Sequence, residues 1–423
     1  MKIAVVGAGS TYTPELVSGL TRERERLGVR ELALQDIDTE RLEVVGGLAE
    51  RMLARDGFDG RLEQTTDLDR ALDGASFVLI QIRVGGQAAR LLDETVPLLC
   101  GCIGQETTGA GGLAKALRTV PVVLEIAERA RERAAPDAWI VDFTNPVGIV
   151  TRALLDAGHR AVGLCNVSIG FQRHVARLLG VEPERVLVDN VGLNHLTWVR
   201  RVLLDGEDVL PDLIAEHGDE LAAPGLPRRL LEELGAVPSY YLHYYYAHDE
   251  VLADQREGVP RAQQVMEIER ELLEMYRDPT LAEKPAQLER RGGAFYSEAA
   301  IGLAASLAGG TDEVHVVDVR NEGTIAGLAA DDVVEVPARV DRGGAHPLPQ
   351  PPLAPELLGL VQHVAAYERL AAEAAVTGDV VTVRKALLTH PLVGQVEYAD
   401  ELAERLLAVG AEHLPQFSRE VTA

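Results

Sequence analysis

The chain has 423 residues, 47% of them hydrophobic, 25% charged and 4% aromatic. That make-up is a folded globular one with material for roughly two to three domains, and it excludes a small stapled scaffold or a disordered chain. The formal charge of −25 disfavours nucleic acid as a partner, and an anionic small molecule would need a local arginine cluster to overcome the field.

Three cysteines, Cys100, Cys102 and Cys165, cannot form a disulfide framework. No apolar run reaches the length of a membrane span, and the apolar start breaks at Gly7 without a cleavage pattern. A cytoplasmic protein without a membrane contact is the expectation.

Short β-branched runs at 2–6, 32–35, 77–81, 139–143 and 161–164 predict strands, and the longer amphipathic stretches 14–20, 40–55 and 113–134 predict helices on both faces of a parallel sheet. This is the grammar of an α/β, Rossmann-like doubly wound domain over residues 1–185. From residue 186 the character changes. The stretch 197–204, the turn Asp205-Gly206 and 207–210 predict a hairpin, followed by mostly helical segments, a strand at 313–319, a Pro-rich loop at 347–355 and helices at 358–376, 381–388 and 400–409. Residues 186–423 therefore read as a mixed α+β domain.

The first strand runs into Gly7-Ala8-Gly9-Ser10 and then a helix, where bare backbone would let a pyrophosphate approach the helix N-terminus. Tyr12 stands where a third glycine usually falls. Asp36, after the second strand, is the acid expected on the ribose hydroxyls of NAD, with Asp38 as the nearby alternative. Thr144-Asn145-Pro146 follows the strand at 139–143, and is either a ligand-facing turn at the carboxyl edge or a helix cap with proline at N1.

Cys165 also lies at a strand's carboxyl edge, and His195 follows in Gly192-Leu193-Asn194-His195-Leu196. If both reach one ion, a thiolate and an imidazole leave positions open for substrate oxygens; otherwise each is a core residue. Half of the ten tyrosines lie between Ser239 and Ala247. They form either an aromatic helix packed on the core or the source of a tyrosinate base whose pKa, about 10 in the free side chain, must fall. Arg90 and Arg261 are surface residues unless they converge on a phosphate dianion.

Taken together, Gly7-Ala8-Gly9-Ser10-Thr11-Tyr12-Thr13-Pro14-Glu15, Ile103-Gly104-Gln105-Glu106-Thr107-Thr108-Gly109, Thr144-Asn145-Pro146, Gly163-Leu164-Cys165-Asn166 and Gly192-Leu193-Asn194-His195 resemble glycoside hydrolase family 4, in order and in spacing, as far as His390-Pro391. These NAD-dependent enzymes stand outside the usual two-carboxylate glycosidase mechanism. The resemblance, most pronounced to the family's 6-phospho-beta-glucosidases, implies a lactate/malate dehydrogenase-like fold, NAD, and a divalent metal, usually manganese. It also implies cleavage by oxidation, elimination, water addition and reduction, and a homodimer or homotetramer.

By that analogy Cys165 and His195 hold the metal, Tyr241 takes the proton from sugar carbon 2, and Glu106 raises that tyrosine's basicity. Arg90, Asn145, Asn166 and Arg261 contact a phosphorylated disaccharide or β-glucoside, and Gly7, Gly9, Ser10 and Asp36 hold NAD. Thiolate softness argues against manganese, and the resemblance argues for it, with cobalt or nickel as substitutes. Asparagine rather than aspartate after Cys165 resembles the β subgroup. Ser168, where proline is common, and Leu91-Leu92, where polar residues are common, depart from the family pattern on the substrate side. The alternatives are a same-family enzyme for an unphosphorylated or α-linked sugar, a 2-hydroxy acid dehydrogenase-like oxidoreductase, and a catalytically idle NAD-binding sensor.

Overall fold

The computed structural model describes residues 1–292 and 295–421. Thirteen strands form one sheet: β1 (Lys2–Val6), β2 (Glu31–Gln35), β3 (Arg61–Thr65), β4 (Phe77–Ile80), β5 (Trp139–Asp142), β6 (Ala161–Gly163), β7 (Val186–Leu193), β8 (Leu196–Leu204), β9 (Glu207–Asp208), β10 (Val237–Pro238), β11 (Glu313–Arg320), β12 (Val333–Asp341) and β13 (Gly344–Pro347). Strands β3-β2-β1-β4-β5-β6 are parallel in the doubly wound order. Ile3, Ala4 and Val5 on the central β1 are wholly buried, as expected of a strand covered on both faces.

The order continues β6-β11-β12-β7-β8-β10, all antiparallel. One row of residues crosses this second half: Gly163 on β6 pairs with Asp318 on β11, Asp318 with Glu335 on β12, and Glu335 with Gly192 on β7. Glycine at the β6 end leaves room for the Asp318 side chain, and glycine at the β7 end for the backbone of β8. A Cβ on Gly163 would lie 2.8 Å from the Asp318 Cβ, and one on Gly192 would overlap the Leu196 carbonyl. The helices Gly109–Arg133 and Pro355–Thr377 pack against each other. Among the described residues no helix is long and apolar enough to cross a membrane.

Several local expectations shift. The expected hairpin forms, with β8 and β9 antiparallel across the turn Asp205-Gly206, and a longer one that was not expected joins β7 to β8 through the two-residue turn Asn194-His195. Glu207–Asp208 is only a two-residue third strand, and the helix Leu210–Leu221 begins where that strand was expected to continue. Pro146 occupies the cap position of the helix Val147–Asp156, so it is not at N1. The tyrosine-rich stretch is a 3-10 turn, Tyr240–Leu242, running into the one-turn helix His243–Tyr246.

Candidate active site

The first βα turn needs its two glycines for separate reasons. Gly7 has φ +88°, and a Cβ there would lie 2.8 Å from the Gln81 carbonyl oxygen. On Gly9 a Cβ would come within 2.8 Å of Asp36 Oδ2. The bare backbone instead lets the Gly9 N–H donate to Asp36 Oδ2 at 2.7 Å, while Oδ1 accepts the Asp38 N–H at 2.9 Å. Asp38 caps the helix Thr39–Arg55 by accepting the Arg41 N–H at 3.0 Å, so Asp36 is the acid that the glycine turn holds. Ser10 Oγ accepts the Tyr12 N–H at 3.2 Å. Tyr12 itself is buried, with the Arg291 guanidinium 5.8 Å from its ring centroid.

Gly7, Ser10 and Asp36 line one end of a cleft of about 2030 Å³, and Arg90, Glu106, Asn145, Asn166 and Tyr241 line it further along. Cys165 and His195 are buried next to that second group. The Tyr241 ring lies flat on the His195 imidazole, with centroids 3.6 Å apart and an interplanar angle of 9°. His195 reaches this position from a strained backbone at φ +62° in the β7–β8 turn. Cys165 lies two residues beyond the end of β6, with Tyr296 and the Val167 N–H near its sulfur.

Thr107 Oγ1 lies 2.8 Å from both Gln105 Oε1 and His195 Nδ1, so Nδ1 is the ring nitrogen that the Thr107 hydroxyl engages. Burial lowers the imidazole pKa to about 3, so the ring is neutral. Burial pushes the Cys165 thiol well up, and Glu335 adds to the rise. The Tyr241 phenol is likewise held well above its ordinary value, by burial first, then by Cys165, Tyr244 and Glu106. Both are therefore protonated without a cation beside them.

Glu106 is the anionic centre. Burial opposes its charge, yet Arg83, Lys115 and Arg90 outweigh that and hold its carboxyl well below the usual range. Arg83 donates to it, Lys115 Nζ lies 2.5 Å from Oε2, and Arg90 Nε lies 3.1 Å from Oε1. Arg90 Nε also donates to Glu94 Oε1 at 2.7 Å, and Glu94 Oε2 accepts the Ala262 N–H at 2.7 Å, at the start of the helix Arg261–Tyr276. Arg261 is the exception among the expected substrate-binding residues. Its guanidinium donates to Gln264 Oε1 at 3.1 Å and to the Arg290 and Arg291 carbonyls at 2.8 and 3.3 Å, and it does not line the cleft.

Arg83, Lys115, Thr107 and Tyr296 escaped the reading of the sequence. Arg83 alone carried a usable signal, as a cation just beyond β4 at the carboxyl edge where ligands collect.

The donor chemistry fits both groups that the motifs point to. A glycine turn free of Cβ atoms faces a cleft that a dinucleotide could occupy. Among the described residues no three His, Cys, Asp or Glu side chains gather around one point, so a cation held by Cys165 and His195 would keep open positions. Asn145 Oδ1, buried without a protein partner, is a further polar atom at the cleft.

Comparison with known proteins points the same way. Residues 2–181 match the model for family 4 glycosyl hydrolase, and residues 190–393 match the one for its C-terminal domain. A probable 6-phospho-beta-glucosidase of Bacillus subtilis is 42% identical over 100% of this chain and 99% of its own. The structure of the 6-phospho-beta-glucosidase from Thermotoga maritima with manganese, NAD+ and glucose-6-phosphate is 36% identical, with a TM-score of 0.91 over 98% of this chain and 99% of that one. Malate dehydrogenase from Plasmodium falciparum, 15% identical, with a TM-score of 0.55 over 89% of this chain and 98% of its own, is alike in fold alone. The glycine turn, the Cys165 and His195 segments and the sheet that joins them are thus those of a known enzyme family, and the chain belongs to glycosyl hydrolase family 4.

Proposed function

We propose that this chain hydrolyses 6-phospho-β-glucosides using NAD and a divalent cation, manganese first, with cobalt or nickel able to replace it. One observation carries the reading: a single cleft is lined by Gly7, Ser10 and Asp36 and also by Tyr241, whose ring stacks on the buried His195. The named relatives, two of them 6-phospho-β-glucosidases in sequence and structure, support the substrate class. Bound NAD would supply reversible hydride transfer at sugar carbon 3, and the cation would supply polarisation of the sugar oxygens and a lower pKa for the groups around it.

The chain's own residues then have defined tasks. Gly7, Gly9 and Ser10 accommodate the pyrophosphate, and Asp36 takes the ribose hydroxyls. Cys165, as thiolate, and His195, through Nε2, hold the cation, with Asn166 beside it. Tyr241 receives the carbon 2 proton on its phenolic oxygen once carbon 3 is a ketone, and the nearby Glu106 charge strengthens that oxygen as a base. Loss of the aglycone from carbon 1 and return of water complete the hydrolysis. Arg90 and Arg261 hold the phosphate, the latter by turning from the carbonyls it now caps, and Asn145 contacts the sugar. Residues 1–185 bind the cofactor and supply Cys165. Residues 186–423 supply the rest of the substrate and metal site and the oligomer contacts of a cytoplasmic homodimer or homotetramer.

The test is release of p-nitrophenol from its β-glucoside 6-phosphate, with NAD, manganese and a reductant omitted in turn and the unphosphorylated glucoside run alongside. Activity that needs the phosphate and all three additions is the expected result, and Cys165→Ser abolishes it while NAD still binds. Turnover of the unphosphorylated sugar would remove the phosphate role from Arg90 and Arg261. Turnover undiminished by Cys165→Ser would sink the metal-dependent reading.

A further inference from the structure

Cys165 and His195 lie at the ends of strands that are not neighbours. Between β6 and β7 run β11 and β12, and the row Gly163–Asp318–Glu335–Gly192 crosses all four. The row stops two residues short of Cys165 on one side and three short of His195 on the other. Glu335 is 1% exposed, and it spends one carboxylate oxygen on β7 and the other on the turn that follows it. Oε1 accepts from Asn190 Nδ2 at 2.8 Å and Oε2 from Asn194 Nδ2 at 2.9 Å. Asn194 is the other residue of the two-residue turn that carries His195 at φ +62°.

A non-glycine residue in left-handed backbone is held only where its surroundings over-determine it. Here the two asparagine amides are fastened to one buried carboxylate on a different strand, one holding β7 and the other the turn, so the turn cannot roll without breaking the Asn194 bond. We infer that Glu335 is a positioning residue for the cation site: by gripping Asn190 and Asn194 it fixes the turn that aims His195 Nε2 at the ion held with Cys165. The inference rests on the reading of Cys165 and His195 as cation ligands.

The test uses the full chain with NAD and measures the Mn2+ dissociation constant by the electron spin resonance signal of free Mn2+. It compares wild type, Glu335→Gln, Asn194→Ala, the double variant and Cys165→Ser. A glutamine offers one acceptor where two are needed, and Asn194→Ala removes the bond to the turn while leaving the Glu335 side chain itself unaltered. Each single variant is expected to weaken Mn2+ by about 10- to 100-fold, as the loss of a ligand's supporting hydrogen bond does. The double variant binds no more weakly than the weaker single, and NAD affinity stays within about twofold. With Co2+ in place of Mn2+, the visible ligand-field spectrum shifts in both single variants, because the imidazole meets the ion at a different angle.

Mn2+ affinity within about twofold of wild type in Asn194→Ala, together with an unchanged Co2+ spectrum while Cys165→Ser loses the ion, overturns the positioning role. If Glu335→Gln does not fold, Asn194→Ala, Asn190→Ala and the Co2+ spectrum decide the matter. Mn2+ binding by Cys165→Ser equal to wild type overturns the ligand assignment, and this inference with it.

Discussion

Lys115 is one of four lysines among 41 basic residues, and it is 2% exposed on the helix Gly109–Arg133. Burial, helped by Arg83 and opposed by Glu106, lowers its pKa to about 7. In the unfolded chain the same group titrates near about 10.4. Between those values the unfolded chain binds the extra proton, so the contribution of Lys115 to stability is present above the unfolded value and is lost as pH falls through about 7. The urea midpoint of wild type relative to Lys115→Met is therefore expected to rise from about pH 7 to pH 9. A difference that is flat with pH would contradict this. The site residues differ in how far the sequence revealed them. Tyr241, Cys165 and His195 stand in contiguous motifs, whereas Lys115 occupies a position that local pattern marks only as helix interior. Its partner, Glu106, lies across a loop, and a buried ion pair is settled by tertiary neighbours rather than by spacing.

The helix Gly109–Arg133 begins against the 103–108 loop that carries Glu106 and Thr107. A Cβ on Gly112 would lie 2.7 Å from the Thr107 carbonyl carbon, and Thr107 supports His195. Gly112→Ala is expected to cost about 1–3 kcal/mol and to lower turnover by shifting Thr107, read by thermal melting and by the glycoside assay. Gly170→Ala, in the helix Val167–Leu179 with nothing within 4 Å of the added carbon, should instead stabilise by about 0.5–1 kcal/mol. Elements announced by their own side chains were legible in the sequence: β1, β4 and β5 lie within one residue of their expected bounds. The misses have physical causes. Strand β3, Arg61–Thr65, is a mostly solvated edge of polar residues. Strand β12 holds Pro337 and the buried Glu335, each of which argues against an interior strand until the partners on β7 and β11 are known. The helix Gly86–Leu99 opens on glycine and contains Pro97.

For the molecule as a whole, the sheet runs without a break from β3 to β10, so the two halves that composition separates share one hydrogen-bonded frame. The chain's two tryptophans sample both halves: Trp139 on β5 and Trp198 on β8. Unfolding is expected to be a single transition. The Trp139→Phe and Trp198→Phe variants, each leaving one reporter, should give fluorescence midpoints that coincide with the far-ultraviolet circular dichroism midpoint of the same variant. Two separated midpoints would show that the β6–β11 seam opens independently. The net charge of −25 says nothing of the cleft, where Arg83, Arg90 and Lys115 surround Glu106. The acidic whole and this local basic cluster are separate properties of one chain, and composition reports only their sum.

The bond from the Gly9 N–H to Asp36 Oδ2 bears on coenzyme redesign. Exchanging the acid for a small neutral residue is the obvious first move toward accepting a 2′-phosphate. In this chain the same exchange would also release one anchor of the glycine turn, since one carboxylate repels the extra phosphate and fastens the pyrophosphate loop. A successful switch would have to keep an acceptor for the Gly9 N–H while removing the charge, with Arg41, whose Nε donates to the Gly9 carbonyl at 3.0 Å, as the cation already at the turn.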